Sequence, residues 1–412
     1  MSQATQTPPS ATPPGQSAGP AAGPDLLYGE DETDLRGAVR SLLEDRAQWR
    51  DVLARTETGQ TYDTGLWRTL AAEVGCAGLL VPESQGGAGA SYREAAVVAE
   101  ELGRAAAAVP FLGSAVVATT ALLAAGHDEL LAEVASGMVT AALAVPFAVG
   151  GFATAPFATG SGSRQVPTVR LDGGGAGDAA GTYRLTGSVA GVADALTADV
   201  LLVPADGVPY GLYAVRADEA RMTRTPVVSL DMTRQLCDLT LDNVPARRVA
   251  VGDGAAQAVA AALTAGAGIL ASEQLGIADR CLELTVAYVK ERRQFARPIG
   301  SFQAIKHRLA DLWVAVIQAR AAARYAANCL ATGDPDTLVA VALAKATCSD
   351  VAVKAGQETV QLHGGIGFTW EHPAHLYLKR AKADSIGFGT ADAHRASLAE
   401  LADLPPAGAD GA

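Results

Sequence analysis

Two short stretches in the last third of this 412-residue sequence carry groups suited to a phosphorylated ligand. In KERRQF, Arg292 offers a planar fork of donors that matches a pyrophosphate, and Phe295, three residues on, is expected on the same helical face, beside a ring. In QLHGGIG, Gly364, Gly365 and Gly367 let the backbone approach a ligand and leave its N–H groups free for phosphate or ribose oxygens. Taken singly, KERR also reads as a solvated helix end, and a lone glycine-rich turn is a weak signal. His363 suits packing or hydrogen bonding better than proton transfer, and His372 and His375 in EHPAHLY have no companions at metal-ligand spacing, so no metal site is expected.

The elements that must position these groups can be read from periodicity. From about Leu26 to Gly126 the chain has helical patterning, as in DETDLRGAVRSLLEDRAQWRDVL, with AGLLVPESQGGAG as a turn between helices. From Met138 to Val251, β-branched and apolar runs such as TYRLTGSVAGVADALTADVLLVPA and QLCDLTLDNVPA alternate with Gly, Pro and Asp turns. Long helices return from Ala255, the clearest placing Phe302, Ile305, Leu309, Leu312 and Val316 at three- and four-residue spacing behind Ser301 as N-cap. The fold class is α+β: a Pro/Ala/Ser tail over 1–24, an N-terminal helical domain over 25–137, a middle β domain over 138–252, a C-terminal helical bundle over 253–405 and a flexible tail over 406–412. No internal repeat is visible.

Composition narrows the partners. A net charge of −12 argues against nucleic acid and against an anionic membrane surface, since both need a basic face. The uncharged run Gly254 to Ser272 is mostly Ala and Gly with few Leu or Ile, and reads as a buried helix better than as a membrane span. The first 25 residues have no basic segment followed by an apolar core, so no secretory signal is expected. Cys76, Cys237, Cys281, Cys329 and Cys348 show no CxxC spacing and an odd total, so neither a disulfide framework nor a zinc site is indicated and a cytoplasmic location fits.

The stretch ELTVAYVKERRQFARPIGSFQAIKHRLADL, followed by QETVQLHGGIGFTWEHPAHLYLKRAK, resembles the acyl-CoA dehydrogenase family, and domain order and length agree across almost the whole chain. The resemblance implies an N-terminal helical domain, a middle β domain of small barrel or sandwich type and a C-terminal four-helix bundle. It implies FAD as cofactor and oxidation of the α,β carbons of an acyl-CoA. It also implies that Arg292, Phe295, Gln303 and the turn from Gln361 through Gly364 and Gly365 reach the FAD of a neighbouring subunit, while Thr390 faces the flavin within its own subunit.

This sequence then departs from the family pattern. The flavin-binding signatures of the β domain, Thr-Glu-Pro with Gly-Ser-Asp and a later Trp-Ile/Lys-Thr, are absent from ALAVPFAVGGFATAPFATGSG and LTGSVAGVADALTADVLLV, although Ser161 or Ser163 could mimic part of the first. The position of the family's catalytic glutamate falls on Phe388, with Asp384 and Asp392 the nearest acids, and the alternative seat falls on Gly266 beside Ala267. A carboxylate is needed to take the α proton, and phenyl cannot replace it. Glu273 is the candidate substitute, two turns or about 10 Å along the same helix from Gly266. The pattern resembles the base-less subunit of heteromeric acyl-CoA dehydrogenases of actinobacterial type, with a homologous subunit and an electron-accepting flavoprotein as partners. The alternatives are a self-sufficient homo-oligomer using Glu273 or chemistry that needs no such base, and a flavin-free scaffold. The small residues from Ala255 to Ala271 either make room for a bulky, sterol-derived acyl chain or reflect close helix packing.

Overall fold

The computed structural model describes residues 26–60, 62–149, 169–172, 182–207 and 209–403. Both tails, residues 150–162 of the first β-domain stretch, and Ser161 and Ser163 with them, lie outside the described residues. The N-terminal region is built from α1 (Glu30–Arg46), α2 (Trp49–Thr56), α3 (Thr64–Arg68), α4 (Tyr92–Ala105), α5 (Thr119–Ala125) and α6 (Asp128–Ala135). A wide helical segment, Phe111–Ala118, leads into α5. Local chemistry starts α4: Ser91 Oγ accepts from Arg93 N at 3.1 Å while Glu94 accepts from Ser91 N at 2.8 Å, closing a capping box.

The middle region is a seven-stranded sheet of β1 (Ala141–Leu143), β2 (Arg170–Leu171), β3 (Thr182–Ala193), β4 (Val200–Ala205), β5 (Gly211–Arg216), β6 (Met222–Pro226) and β7 (Leu236–Val251). Its path is β1-β4-β5-β7-β3-β2, with β6 also on β7; β1 and β4 are parallel and the other pairs antiparallel. Leu185, Leu201, Val203, Tyr213 and Leu239 make a separate core on one face. Leu143, Val145, Phe147, Val200 and Leu202 belong to the larger core shared with the helices, so the sheet is clamped to them through one face.

The C-terminal region begins with α7 (Gly252–Glu291), a 40-residue helix about 60 Å long. It is followed by a two-stranded hairpin, β8 (Arg293–Gln294) and β9 (Arg297–Pro298), then by α8 (Gln303–Thr332), α9 (Thr337–His363), α10 (Ala374–Asp384) and α11 (Ala391–Leu401). Among the described helices, α7 is the one long and apolar enough to cross a membrane, yet two thirds of its apolar window, 67%, is buried within the protein. Two glycines serve close approach: a Cβ on Gly276 of α7 would collide with Glu100 O, and one on Gly103 of α4 with Glu273 O, so α4 and α7 meet backbone to backbone. The expected cap at Ser301 is corrected. Phe302 is the N-cap of α8, and Ser301 Oγ donates instead to Pro298 O at 2.7 Å, closing the preceding tight turn.

Candidate functional site

The groups suited to a phosphorylated ligand converge at one end of the bundle. Tyr288, in the last turn of α7, stacks on His363, the last residue of α9, at 4.2 Å, and its hydroxyl donates to His363 O at 3.4 Å. Arg292 caps α7 and Gly364 caps α9, so the two motifs share that end, and Ile299 N donating to Arg292 O at 2.8 Å brings the start of α8 alongside. Arg292, Gln303, Gln361, Gly364 and Gly365 are all exposed. The Arg292 side chain has no hydrogen-bond or ion-pair partner among the described residues.

Phe295 does not lie on a helical face with Arg292. The helix stops at Glu291, and Phe295 and Ala296 form the tip of the β8–β9 hairpin with φ of 51° and 62°. Two successive positive φ values suit a two-residue hairpin loop, which usually recruits Asn or Gly; a phenylalanine there is strained, as at positions held for function. Its ring is 86% exposed, with the Phe302 ring edge-on at 6.1 Å.

The glycines separate by role. A Cβ on Gly367 would stand 2.7 Å from Val360 O, so Gly367 is needed inside the chain. Gly365 has open space where a Cβ would go and no unusual φ, so nothing among the described residues requires glycine there. An exposed, unpartnered arginine beside backbone left bare without internal reason fits the pyrophosphate and ribose of a dinucleotide offered from outside the chain. Beside this turn, Trp49, Leu53, Ile366 and Trp370 line a groove of about 630 Å³.

The two positions where a base was expected lie elsewhere, and they touch. A Cβ on Gly266 would stand 2.9 Å from Phe388 Cζ and 2.9 Å from Val117 Cγ2. The Phe388 ring therefore occupies the space in front of Gly266. It packs edge-to-face on Phe147 at 5.5 Å, and Phe388 N donates to Phe147 O at 2.8 Å. The cavity left between these rings, Leu112, Val117 and Leu143 is about 20 Å³, room for about one water. Along α7, Gly266 lies about 38 Å from Glu291, so no single dinucleotide touches both ends.

Glu273 is not free to act as a base. It is 3% exposed, and both its oxygens accept from Arg234 Nη2, at 2.8 and 2.7 Å, while Oε1 also accepts from Arg380 Nε at 2.7 Å and from Arg380 Nη2. Burial alone raises its pKa, but the two guanidinium groups outweigh that and hold it down to about 2. A carboxylate so stabilised has little tendency to take a proton. Asp384, the nearest acid to Phe388 on its N-terminal side, is pushed up by burial and by the Glu273 charge, against the pull of Arg380 and Arg234. Asp392 is in the first turn of α11, paired with Arg395 at 2.9 Å. Thr390 is the N-cap of α11, its Oγ accepting from Ala393 N at 3.3 Å. His363, His372 and His375 gather as a ring cluster, with His363 and His372 4.1 Å apart, and burial lowers the pKa of each; no metal-binding group is found among the described residues.

Sequence reasoning missed Phe147, Asp194 and Arg234. Asp194, at φ 58°, accepts from Gly113 N at 3.1 Å, and a side chain on Gly113 would collide with it. It lines the small cavity beside Phe388, and burial raises its pKa although Arg234 and Arg380 oppose this. The one local signal was an acid inside the apolar run VADAL, the residue that ends a strand in a conformation Asp tolerates.

Comparison with known proteins agrees with this architecture. Residues 29–142 match the family model described as acyl-CoA dehydrogenase, N-terminal domain, and residues 252–402 the one described as acyl-CoA dehydrogenase, C-terminal domain. The curated acyl-CoA dehydrogenase IpdE2 of Mycolicibacterium smegmatis is 36% identical over 85% of this chain and 92% of its own length. Among solved structures, a point variant of the Tcur3481–Tcur3483 steroid ACAD superposes with a TM-score of 0.76 at 32% identity, covering 91% of this chain and 98% of that one. The ChsE4–ChsE5 complex from Mycobacterium tuberculosis gives 0.79 at 29%, covering 93% and 100%.

Proposed function

The chain belongs to the acyl-CoA dehydrogenase family, whose cofactor is FAD, and on that premise we propose that it is the cofactor-donating, base-less subunit of a heteromeric enzyme. The reaction is α,β-dehydrogenation of an acyl-CoA, in which bound FAD accepts the hydride. The observation that carries the reading is the contact of Phe388 with Gly266: both seats for a base are vacant, and one phenyl ring fills the space between them. The exposed end of the bundle supports the other half. Arg292 offers its fork to pyrophosphate, Phe295 presents a ring, and Gln303, Gln361 and the bare backbone of Gly364 and Gly365 supply further contacts, all to a cofactor whose ring sits on a homologous partner. Thr390 stands nearer the sealed pocket and contributes a cap to its own helix.

Two of the similar structures are named as a steroid enzyme and a two-component complex, which favours a ring-bearing, steroid-derived acyl-CoA as substrate. An electron-transferring flavoprotein is the acceptor and the cytoplasm the location in this reading. The test is expression of the chain alone and together with a homologous subunit encoded beside it, reading flavin absorbance and acyl-CoA oxidation. The pair is expected to be yellow and active with about one FAD per two chains, and the lone chain inactive. Robust turnover by the lone chain overturns the proposal, and Asp194→Asn and Glu273→Gln then identify the base.

A further inference from the structure

We propose that Phe147 and Phe388 form a plug that closes a latent acyl-binding pocket within this chain, so that the fold retains the pocket's walls while excluding the acyl group of an acyl-CoA. The two rings are fitted to each other through the backbone as well as by their faces. Phe388 N donates to Phe147 O at 2.8 Å, and Phe147 N donates to Gly191 O at 2.9 Å, which ties the pair to the sheet. Gly387 leaves room for the Phe147 ring, which a Cβ at that position would strike, and Gly266 leaves room for the Phe388 ring. Two glycines on different segments thus make space for one aromatic pair, an arrangement that a simple loss of the carboxylate does not require.

The plug is held shut from behind. Phe388 adopts φ 52°, a strained conformation for a residue with a side chain, and such strain persists where the surroundings over-determine it. His394 Nε2 hydrogen-bonds Phe388 O at 2.9 Å, and Lys345 Nζ donates to Asp384 O at 3.0 Å and Gly389 O at 3.3 Å, fixing the loop on both sides of the ring. Arg234 lies over the Phe147 ring at 5.3 Å while gripping Glu273, which couples the plug to the buried charge cluster. What remains is a cavity of about 20 Å³, against the roughly 300 Å³ or more of a working ligand pocket. Leu112, Val117, Leu143 and Val145 give it an aliphatic wall suited to a hydrocarbon chain, with Asp194 and the buried Arg234 on its remaining side.

This inference rests on family membership and on the vacant base positions, and it concerns the lone chain, whereas the heteromeric reading concerns flavin shared with a partner. The probe is octanoyl-CoA, with free CoA as control, titrated calorimetrically into the full-length chain as wild type, Phe388→Gly, and Phe147→Leu. Glycine suits the positive φ at position 388, and Phe147→Leu opens less space should the first variant fold poorly. Wild type is expected to show no saturable binding that depends on the octanoyl group. Opened variants, verified as cooperatively folded by thermal melting, are expected to gain affinity for octanoyl-CoA over free CoA by about tenfold or more, which burial of roughly two methylenes supplies. Saturable, acyl-dependent binding by wild type overturns the plug, whatever the variants do. Folded variants without the gain overturn it equally. Flavin content of the complex with a partner is unaffected by these results, so either proposal can fail while the other stands.

Discussion

The far end of α7 and its middle make a contrast within one helix. At the end, Arg292, Phe295, Gln303 and Gly365 are exposed, and among the described residues neither the Arg292 side chain nor the glycine at 365 has an internal contact to make. In the middle, Gly266, Glu273 and the Phe388 ring are buried, and each is matched by a neighbour. Exposed polar groups are satisfied by water and stay free for a ligand, while a buried carboxylate gripped by two arginines is already committed inside the chain. The difference teaches that groups around the end of one helix stay uncommitted while groups around its middle are already spent on internal contacts.

The contrast breaks first at its interior side. Glu273→Ala removes the acid that Arg234 and Arg380 grip most closely and leaves them buried with Asp384, 3.4 Å from each, as shared counter-charge, and a loss of about 3–5 kcal/mol in unfolding free energy is expected from urea denaturation. A change below about 1 kcal/mol would mean that the cluster is solvated and Glu273 available for chemistry. At the exposed end the same experiment should read almost nothing for Arg292→Ala, but flavin affinity of the complex should fall about ten- to a hundredfold, as for loss of a charge-assisted contact worth roughly 1.5–3 kcal/mol. Full flavin and activity in that variant would return Arg292 to the role of a solvated helix end.

Two neighbouring glycines sharpen the comparison. Gly367→Ala pushes a methyl against Val360 O and is expected to destabilise the chain by about 1–3 kcal/mol, whereas Gly365→Ala should leave the melting temperature unchanged and weaken flavin binding in the complex. The reverse order would remove the argument for a ligand at that turn. The last comparison concerns pH. Burial, with the nearby Lys345 charge, lowers His394 from 6.5 to about 4 although Phe388 O opposes this, so the unfolded chain binds the extra proton between those values. Stability from this group is present above about pH 6.5 and is lost as pH falls towards 4. His394→Gln should make the slope of unfolding free energy against pH shallower by one proton, about 1.4 kcal/mol per pH unit, over that window, with Asp384 and His372 common to both proteins.

Much of the architecture could be read before folding because its signals are local. Helical periodicity, strand alternation and turn residues lie within a few positions of one another, and the two motifs at the bundle end are contiguous. Errors came where an element ended: periodicity carried the helix through Phe295, while the chain turns at Arg292 and seats the ring on a hairpin, and Ser301 was preferred to Phe302 as cap because composition outweighed geometry.

By itself, the sequence determined the family, the order of helical and β regions and the absence of a carboxylate at positions 266 and 388, since each depends on residue type at a position in the chain. Tertiary structure alone decided that the two vacant positions face each other and that Phe388 fills both. It also decided that Glu273 is neutralised by arginines 39 and 107 residues away. The physical reason is that a side chain's chemistry follows from its neighbours in space: the same carboxylate is a base in a pocket that disfavours its charge and a structural anion between two guanidinium groups, and only the packing of α7 against the sheet and α10 selects the second.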